Sequence, residues 1–287
     1  MSVHSPHTGQ HRSRPPDRVS ESANGTKPGV SGKGAAALAG DLHAGCARLG
    51  LTLQPKQEEL LLGYLDLLRK WNAVYNLTAI RTLPRMLVEH IFDSLAVVAP
   101  LAARPPAAPS DRAPCVVDIG SGAGLPGIVL AIVWPEAEIH LVEPVGKKAA
   151  FLRQCVGALG LSRVAVHALR VQELSLPRPA DLVICRAFAS LPDFLAAAAP
   201  LTGPETLVCA MKGVVPQAEI SSLDAQWASP EVVALAVPEL TAARHLVLLR
   251  RTADHVPRAQ AGAAATDAAA VNVTPGAQRA RPSRNGA

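Results

Sequence analysis

The fold is decided by the stretch Val116-Val117-Asp118-Ile119-Gly120-Ser121-Gly122-Ala123-Gly124, a hydrophobic run that ends in alternating glycines. Such a run predicts a buried strand, a tight glycine turn and a following helix. On its carboxyl side, short apolar runs alternate with helical patterns such as 147–159, which predicts a doubly wound parallel sheet with helices on both faces. The predicted strands are 115–119, 138–143, 163–167, 181–185, 206–211, 245–249 and 231–237.

Two nucleotide cofactors fit the predicted glycine turn. Gly122, Gly124 and Gly127 satisfy the dinucleotide pattern G-x-G-x-x-G, which by itself is a weak signal. Asp118, at the end of the strand, suits the cationic methionine end of S-adenosylmethionine and would repel a pyrophosphate. Glu143 ends the next strand, where a carboxylate accepts hydrogen bonds from ribose hydroxyls. The residues favour S-adenosylmethionine and leave an NAD-dependent oxidoreductase as the alternative.

Helices are predicted before the sheet. From Pro55, apolar side chains recur on one helical face at Leu60, Tyr64, Leu67 and Trp71. A second helix is predicted to start at Pro84, with Leu87, Ile91, Leu95 and Val98 as its buried stripe and His90, Asp93 and Ser94 on one polar face. The predicted organisation is a disordered tail at 1–38, a helical region at 39–99, a linker at 100–114, a Rossmann-like domain at 112–251 and a second disordered tail at 252–287.

Composition limits the classes of function. The five cysteines contain no C-x-x-C pair, which predicts a reduced, cytoplasmic protein without a metal site. The longest apolar run, 128–134, is far shorter than the roughly 20 residues that span a membrane, so no membrane association is expected. A net charge of +5 permits a polyanionic partner without requiring one.

Four segments together resemble the RsmG/GidB family. They are 71–80 (WNAVYNLTAI), 90–95 (HIFDSL), 118–127 (DIGSGAGLPG) and 185–191 (CRAFASL), and the similarity extends over about residues 51–213. Several motifs in one order are more specific than a single glycine turn. The resemblance implies a class I S-adenosylmethionine-dependent methyltransferase of Rossmann-like α/β fold, with a small helical region at its amino end.

The resemblance also implies the acceptor and the site. The family methylates N7 of one guanine, at position 527 in the 530 loop of bacterial 16S ribosomal RNA, so the expected partner is that RNA or a precursor of the small ribosomal subunit. Gly120, Leu125, Val171, Gln172 and Arg186 are implied to bind the cofactor, beside the predicted Asp118, Gly122 and Glu143. Members commonly carry an acid where Gln172 stands, and the neighbouring Glu173 is an alternative for that role.

Guanine N7 chemistry agrees with the residues after the fourth strand. N7 has an in-plane lone pair, so its methylation needs alignment and a suitable field but no general base. Arg186 is the predicted catalytic residue, and Phe188 is either a stacking or a core aromatic. Cys185 suggests an alternative, the thiolate attack by which pyrimidine-C5 methyltransferases activate their base. Those methyltransferases usually have proline before the cysteine, where this sequence has Ile184.

The predicted RNA contacts are Lys147, Lys148, Lys212 and His90. The lysines follow predicted strands and would grip phosphate without reading sequence. His90 would act from the predicted helix over the pocket. A different RNA, a protein or a small molecule remains open as the acceptor when the residues alone are considered.

Overall fold

A computed structural model describes residues 34–104 and 112–252. Most of the predicted tails, 1–33 of 1–38 and 253–287 of 252–287, and part of the predicted linker, 105–111, lie outside the described residues. Residues 34–38 were expected in the first tail, yet Ala35–Leu38 form a 3-10 turn and Ala35 is fully buried. Across the described residues, no helix is both long and apolar enough to cross a membrane.

The α-helices and strands follow the predicted alternation. The helices are α1 (Ala39–Arg48), α2 (Pro55–Tyr75), α3 (Leu83–Met86), α4 (Asp93–Leu95), α5 (Val98–Ala102), α6 (Gly127–Val133), α7 (Gly146–Leu159), α8 (Leu191–Ala198) and α9 (Gln217–Ser221). The strands are β1 (Cys115–Ile119), β2 (Glu138–Val142), β3 (Val164–His167), β4 (Ala180–Arg186), β5 (Thr202–Lys212), β6 (Glu231–Ala234) and β7 (His245–Leu249). A π-helix, Leu87–Phe92, joins α3 to α4, and further 3-10 turns lie at Val171–Glu173 and Ala199–Leu201.

The seven strands form one sheet in the order β3-β2-β1-β4-β5-β7-β6. β1 to β5 are parallel, as predicted, whereas β7 runs antiparallel to both β5 and β6. The expectation of an entirely parallel sheet was therefore wrong at β7, which runs against the other six strands. Buried clusters cover both faces, because β1 contributes Val116 to one and Val117 to the other.

Helix α2 supports the glycine turn from outside. It starts with a capping box between Gln54 and Gln57 and ends at Asn76 in the left-handed conformation. The Tyr64 hydroxyl donates a 2.7 Å hydrogen bond to the carbonyl of Ala123 within the turn. Of the four residues predicted on one face, Tyr64 is fully buried, and Leu60, Leu67 and Trp71 are half-buried and pack against the core. Leu61, Leu65 and Leu68 are fully buried as well.

The second predicted helix is divided among four segments: α3, the π-helix, α4 and the start of α5. It begins at Leu83 rather than Pro84, and the π-helical segment, a feature often found at functional sites, occupies its centre. The predicted stripe of Leu87, Ile91, Leu95 and Val98 is buried. His90, Asp93 and Ser94 are buried as well, because this segment is enclosed on more than one side. Helix α5 also enters the stretch that was predicted as a linker.

Candidate active site at the carboxyl edge of the sheet

The turn after β1 leaves space against its main chain. Gly120 has a φ of 71°, a conformation that favours glycine, and a Cβ built there would meet no atom within 4 Å. The amide nitrogens of Gly120 and Ser121 donate to the carbonyl of Val142, which ties the turn to β2. The backbone at Gly120 is thus fixed and open, as a ligand that lies against it requires.

Gly127 is needed for the opposite reason. A Cβ at this position would lie 2.3 Å from Leu141 Cδ2 and 2.6 Å from Asp118 Oδ2, closer than atoms can approach. Its amide nitrogen donates a 3.0 Å hydrogen bond to Asp118 Oδ2. The contact fixes the start of α6 against the end of β1.

Asp118 is fully buried beneath the turn. Burial raises the pKa of its carboxyl from 3.8 to about 7, and the hydrogen bond from Gly127 opposes this shift. Its Oδ1 has no hydrogen-bond partner among the described residues. An unpartnered carboxylate oxygen under an open glycine turn fits a cationic ligand nearby, although no part of the Asp118 side chain reaches the surface.

Glu143 joins the turns that follow β1 and β2. Its Oε2 accepts a 2.8 Å hydrogen bond from Gly122 N, and its Oε1 accepts one of 2.9 Å from Val145 N. A carboxylate has about four acceptor sites, so both oxygens keep capacity for a further donor such as a ribose hydroxyl. Val171 is buried in its 3-10 turn, whereas Gln172 and Glu173 are both exposed. The choice between these two for the adenine subsite stays a prediction.

Arg186 is the last residue of β4 and is held by the π-helix and α4. Its Nη1 donates 3.0 Å hydrogen bonds to the carbonyl of Glu89 and to Asp93 Oδ2. Ala187 follows with a φ of 60°, a strained conformation of the kind that clusters at functional sites. Asp93 also binds Arg244, whose Nε lies 2.9 Å from Asp93 Oδ1. One buried carboxylate therefore orients two arginines.

A cavity of about 400 Å³ opens beside these arginines. It lies where β4 and β5 end, and its lining combines cationic groups with two acids. The lining residues are Glu89, His90, Asp93, Arg186, Ala187, Met211, Lys212, Gly213 and Arg244. Arg244 was missed by the sequence analysis. The cavity can receive a planar polar ligand with hydrogen-bond acceptors, which the arginine guanidinium groups would bind.

The structure divides the predicted RNA contacts between two places. Lys212 and His90 line the cavity, whereas Lys147 and Lys148 lie in the first turn of α7, after β2. Three strand spacings separate β2 from β5, about 14 Å. Lys212 Nζ donates to Glu219 Oε2 at 3.1 Å, so its charge is partly neutralised.

His90 is buried and uncharged. Its Nε2 is 3.0 Å from Thr78 Oγ1 and its Nδ1 is 2.9 Å from the carbonyl of Glu89. Burial, with Arg186 nearby, lowers the pKa of its imidazole to about 4. A phosphate contact by His90 stays a prediction, and this ring would make it without a positive charge.

The other singled-out side chains have structural partners. Phe188 is half-buried, and its ring centroid lies 5.6 Å from that of Phe194 in the core. Asn72 bonds the turn after α2 through Thr78 N and the carbonyl of Ile80. Cys185 is buried, and burial raises the pKa of its thiol well above 9. A buried neutral thiol does not favour the pyrimidine-C5 mechanism.

The fold and the site together define a class of enzyme. The parallel strands have the order 3-2-1-4-5, and an antiparallel strand lies beside β5. An acid ends β1, and an open glycine turn follows it. This is the arrangement of class I S-adenosylmethionine-dependent methyltransferases. The cofactor is therefore S-adenosylmethionine, and the dinucleotide alternative is not supported.

Comparison with known proteins gives the particular family. The family model described as GidB, rRNA small subunit methyltransferase G, matches residues 57–247, and the chain belongs to this family. A ribosomal RNA small subunit methyltransferase G from Cupriavidus necator is 46% identical over 219 residues, 74% of this chain and 94% of the relative. The Bordetella petrii protein of the same name is 48% identical over 216 residues, 74% of this chain and 83% of the relative.

A comparison of structures also finds methyltransferases. The O-methyltransferase TomG from Streptomyces achromogenes, solved in complex with S-adenosylmethionine, is 16% identical with a TM-score of 0.49, covering 73% of this chain and 96% of that one.

Proposed function

We propose that this protein transfers a methyl group from S-adenosylmethionine to N7 of the guanine at position 527, in the 530 loop of 16S ribosomal RNA, and acts in the cytoplasm. The observation that carries the proposal is the cavity lined by Arg186, Arg244 and Lys212, which opens at the same edge of the sheet as the turn after β1. Membership of a family whose relatives are named ribosomal RNA small subunit methyltransferase G supports the acceptor. The proposed partner is 16S RNA or a precursor of the small subunit.

The residues around the β1 turn fit the cofactor. Gly120 and Gly122 would give it main chain to lie against, and Leu125 would line the pocket. Glu143 has acceptor capacity for the ribose, and Asp118 would place negative charge beneath the methionine end. Val171 and Gln172 would flank the adenine.

The chemistry requires positioning rather than proton transfer. S-adenosylmethionine, when bound, supplies a methyl group on a positively charged sulfur. N7 of guanine brings its own lone pair and loses no proton, so no side chain has to act as a base. His90, whose ring nitrogens both lie within hydrogen-bond distance of protein oxygens, is not needed as one.

Arg186 is the proposed catalytic residue. Both hydrogen bonds that it makes to described residues use Nη1, which leaves Nη2 and Nε as donors for a substrate. Guanine presents O6 as an acceptor beside N7. A donor on O6 would hold the ring with N7 toward the methyl group, while Lys147, Lys148, Lys212 and His90 are proposed to contact the surrounding RNA.

Methyl transfer to defined RNA tests the proposal. Purified protein is incubated with tritium-labelled S-adenosylmethionine and small subunits from a strain that lacks this enzyme. The expected result is one label per subunit and a primer-extension stop at guanine 527 after chemical cleavage specific for N7-methylguanine. Arg186→Lys keeps the charge but loses the planar fork of donors, and we expect turnover to fall by about 100-fold, the order found when a transition-state donor is removed.

Parallel arms separate the alternatives. Naked 16S RNA in place of subunits identifies the assembly state that is methylated. Calorimetric titration with S-adenosylmethionine and with NAD checks the cofactor, which Asp118→Ala should bind more weakly. Label that resists the N7-specific cleavage, or no label in RNA from the wild-type protein, would refute the proposed acceptor.

A further inference from the structure

An aromatic stack with one open end lies between α2 and α7. The rings of Phe151 and Trp71 have centroids 5.6 Å apart, and those of Trp71 and Tyr75 are 5.1 Å apart with a tilt of 33°. Phe151 is fully buried, Trp71 is half-buried and Tyr75 is 42% exposed. The stack therefore starts in the core at Phe151 and ends in solvent at Tyr75, whose ring packs against Trp71.

The position of this open end follows from the packing of α2 on α7. A Cβ at Gly63 on α2 would lie 3.3 Å from Leu159 on α7. Trp71, eight residues after Gly63, contacts Phe151, eight residues before Leu159. The two helices are thus antiparallel. One further turn brings Tyr75 on α2 to the level of Lys147 at the start of α7.

Exposed apolar side chains gather at the same end. Val74 is 69% exposed and Val145, directly before α7, is 42% exposed, like Tyr75. Large apolar groups left in solvent beside one another indicate a surface that another molecule covers. Tyr75 is the only one of them with a ring, and the packing of Trp71 restricts how that ring can move.

The charge of this surface indicates the kind of molecule. Residues 67–81 and 146–159 contain no aspartate or glutamate. They contain six basic residues, namely Arg69, Lys70, Arg81, Lys147, Lys148 and Arg153, of which Arg69 pairs with Asp66 just outside these ranges at 3.5 Å. Aromatic rings among cations are the arrangement by which proteins bind single-stranded nucleic acid, where bases stack on rings and cations meet the phosphates.

We infer that Tyr75 is a stacking platform for an unpaired base of the RNA substrate, with Lys147 and Arg81 on the flanking phosphates. The inference rests on the proposed function, since it assigns a contact to the same substrate. The stacked base is not the guanine that is methylated, because the arginine-lined cavity lies at the ends of β4 and β5, on the far side of β1 from α7, which follows β2. Tyr75 would thus anchor a neighbouring nucleotide while the target enters that cavity.

Steady-state methylation of small subunits from a strain lacking this enzyme tests the inference in the full-length protein. Loss of stacking in Tyr75→Ala is expected to raise the KM for subunits by about tenfold, with kcat and the Kd for S-adenosylmethionine unchanged. Tyr75→Phe keeps the ring and should stay within about twofold of wild type. Tyr75→Leu keeps apolar area without a ring and should behave like Tyr75→Ala.

Val232→Ala is the matched control, because Val232 is an exposed apolar residue on β6, at the edge of the sheet opposite β3, and has no ring to lose; its KM should stay within about twofold of wild type. An unchanged KM in both Tyr75→Ala and Tyr75→Leu would overturn the inference. A leucine variant as active as the phenylalanine variant would also overturn it, since it would indicate an apolar protein contact. Methylation by the wild-type protein tests the proposed function, and the KM of the Tyr75 variants tests the stacking role. Failure of the stacking role is therefore distinguishable from failure of the proposed function.

Discussion

Two buried carboxylates at the same edge of the sheet are held in opposite ways. Asp118 ends β1 and accepts a hydrogen bond from a backbone amide, while its other oxygen lacks a partner among the described residues. Asp93 starts α4 and binds one arginine with each oxygen. The β1 side thus leaves a carboxyl oxygen without a partner, which suits a cationic cofactor, whereas the β4 side uses its carboxylate to orient two arginines at the proposed RNA site.

Removal of the matched carboxylate should have the largest effect on stability. In Asp93→Ala, two partly buried arginines lose their common partner, and we expect the free energy of unfolding to fall by about 3 kcal/mol. Loss of Arg186 orientation should also reduce kcat/KM. Urea unfolding and methyl transfer measure the two effects.

An exposed pair provides the control for Asp93. Lys56 and Glu59 are 67% and 71% exposed, so Glu59→Ala should change the free energy of unfolding by less than about 0.5 kcal/mol. If Asp93→Ala and Glu59→Ala lowered the free energy of unfolding equally, Asp93 would contribute no more to stability than a surface charge does.

Asp118 predicts that the free energy of unfolding depends on pH, with an effect somewhat smaller than that of Asp93→Ala. Because the pKa of Asp118 is raised from 3.8 to about 7 in the folded protein, the folded state binds more protons between these values, and stability falls as pH rises through this window. From pH 5 to pH 8 the loss should be about 2 to 3 kcal/mol. Asp118→Asn, which cannot titrate, should lack it.

The difference between wild type and Asp118→Asn isolates this group. His90 has a lowered pKa and acts in the other direction, with stability gained as pH rises from about 4 toward its ordinary value of 6.5, but it does so equally in both proteins. Unfolding in urea without cofactor, at a series of pH values, gives the difference. Parallel curves for the two proteins would show that Asp118 does not titrate in this range.

The same comparison explains what could be predicted from the sequence. Asp118 lies two residues before Gly120, and Glu143 directly follows β2, so local patterns at strand ends indicate both their structure and their chemistry. The pairing of Asp93 with Arg186 and Arg244 joins residues far apart in the chain, and no local pattern records it. Arg244 precedes β7, which in an entirely parallel sheet would have put it at the opposite edge; the antiparallel pairing of Lys212 with His245 brings it to the cavity.

Helix boundaries show a similar limit. The period of α2 was predicted, but not how deeply each position is buried: Tyr64 and Leu68 are fully buried, whereas Leu67 and Trp71 are half-buried. The π-helix at Leu87–Phe92 was not predicted, since the four-residue spacing of Leu87, Ile91 and Leu95 is also that of an ordinary α-helix. Its tertiary role became visible only through the carbonyl of Glu89, which accepts from Arg186.

The smallest expected effect tests whether methyl transfer at the β4 side proceeds without a covalent intermediate. Cys185 adjoins Arg186, but its thiol is buried and its pKa lies well above 9, so a thiolate attack is not expected. Cys185→Ala should keep kcat within about twofold and cost about 1 kcal/mol of stability through the small cavity left behind. Cys209→Ala, on the neighbouring strand β5 and fully buried, is the control for that cavity. A loss of turnover beyond 100-fold in the first variant alone would require covalent chemistry at Cys185, and the division between the two carboxylates would no longer account for the site.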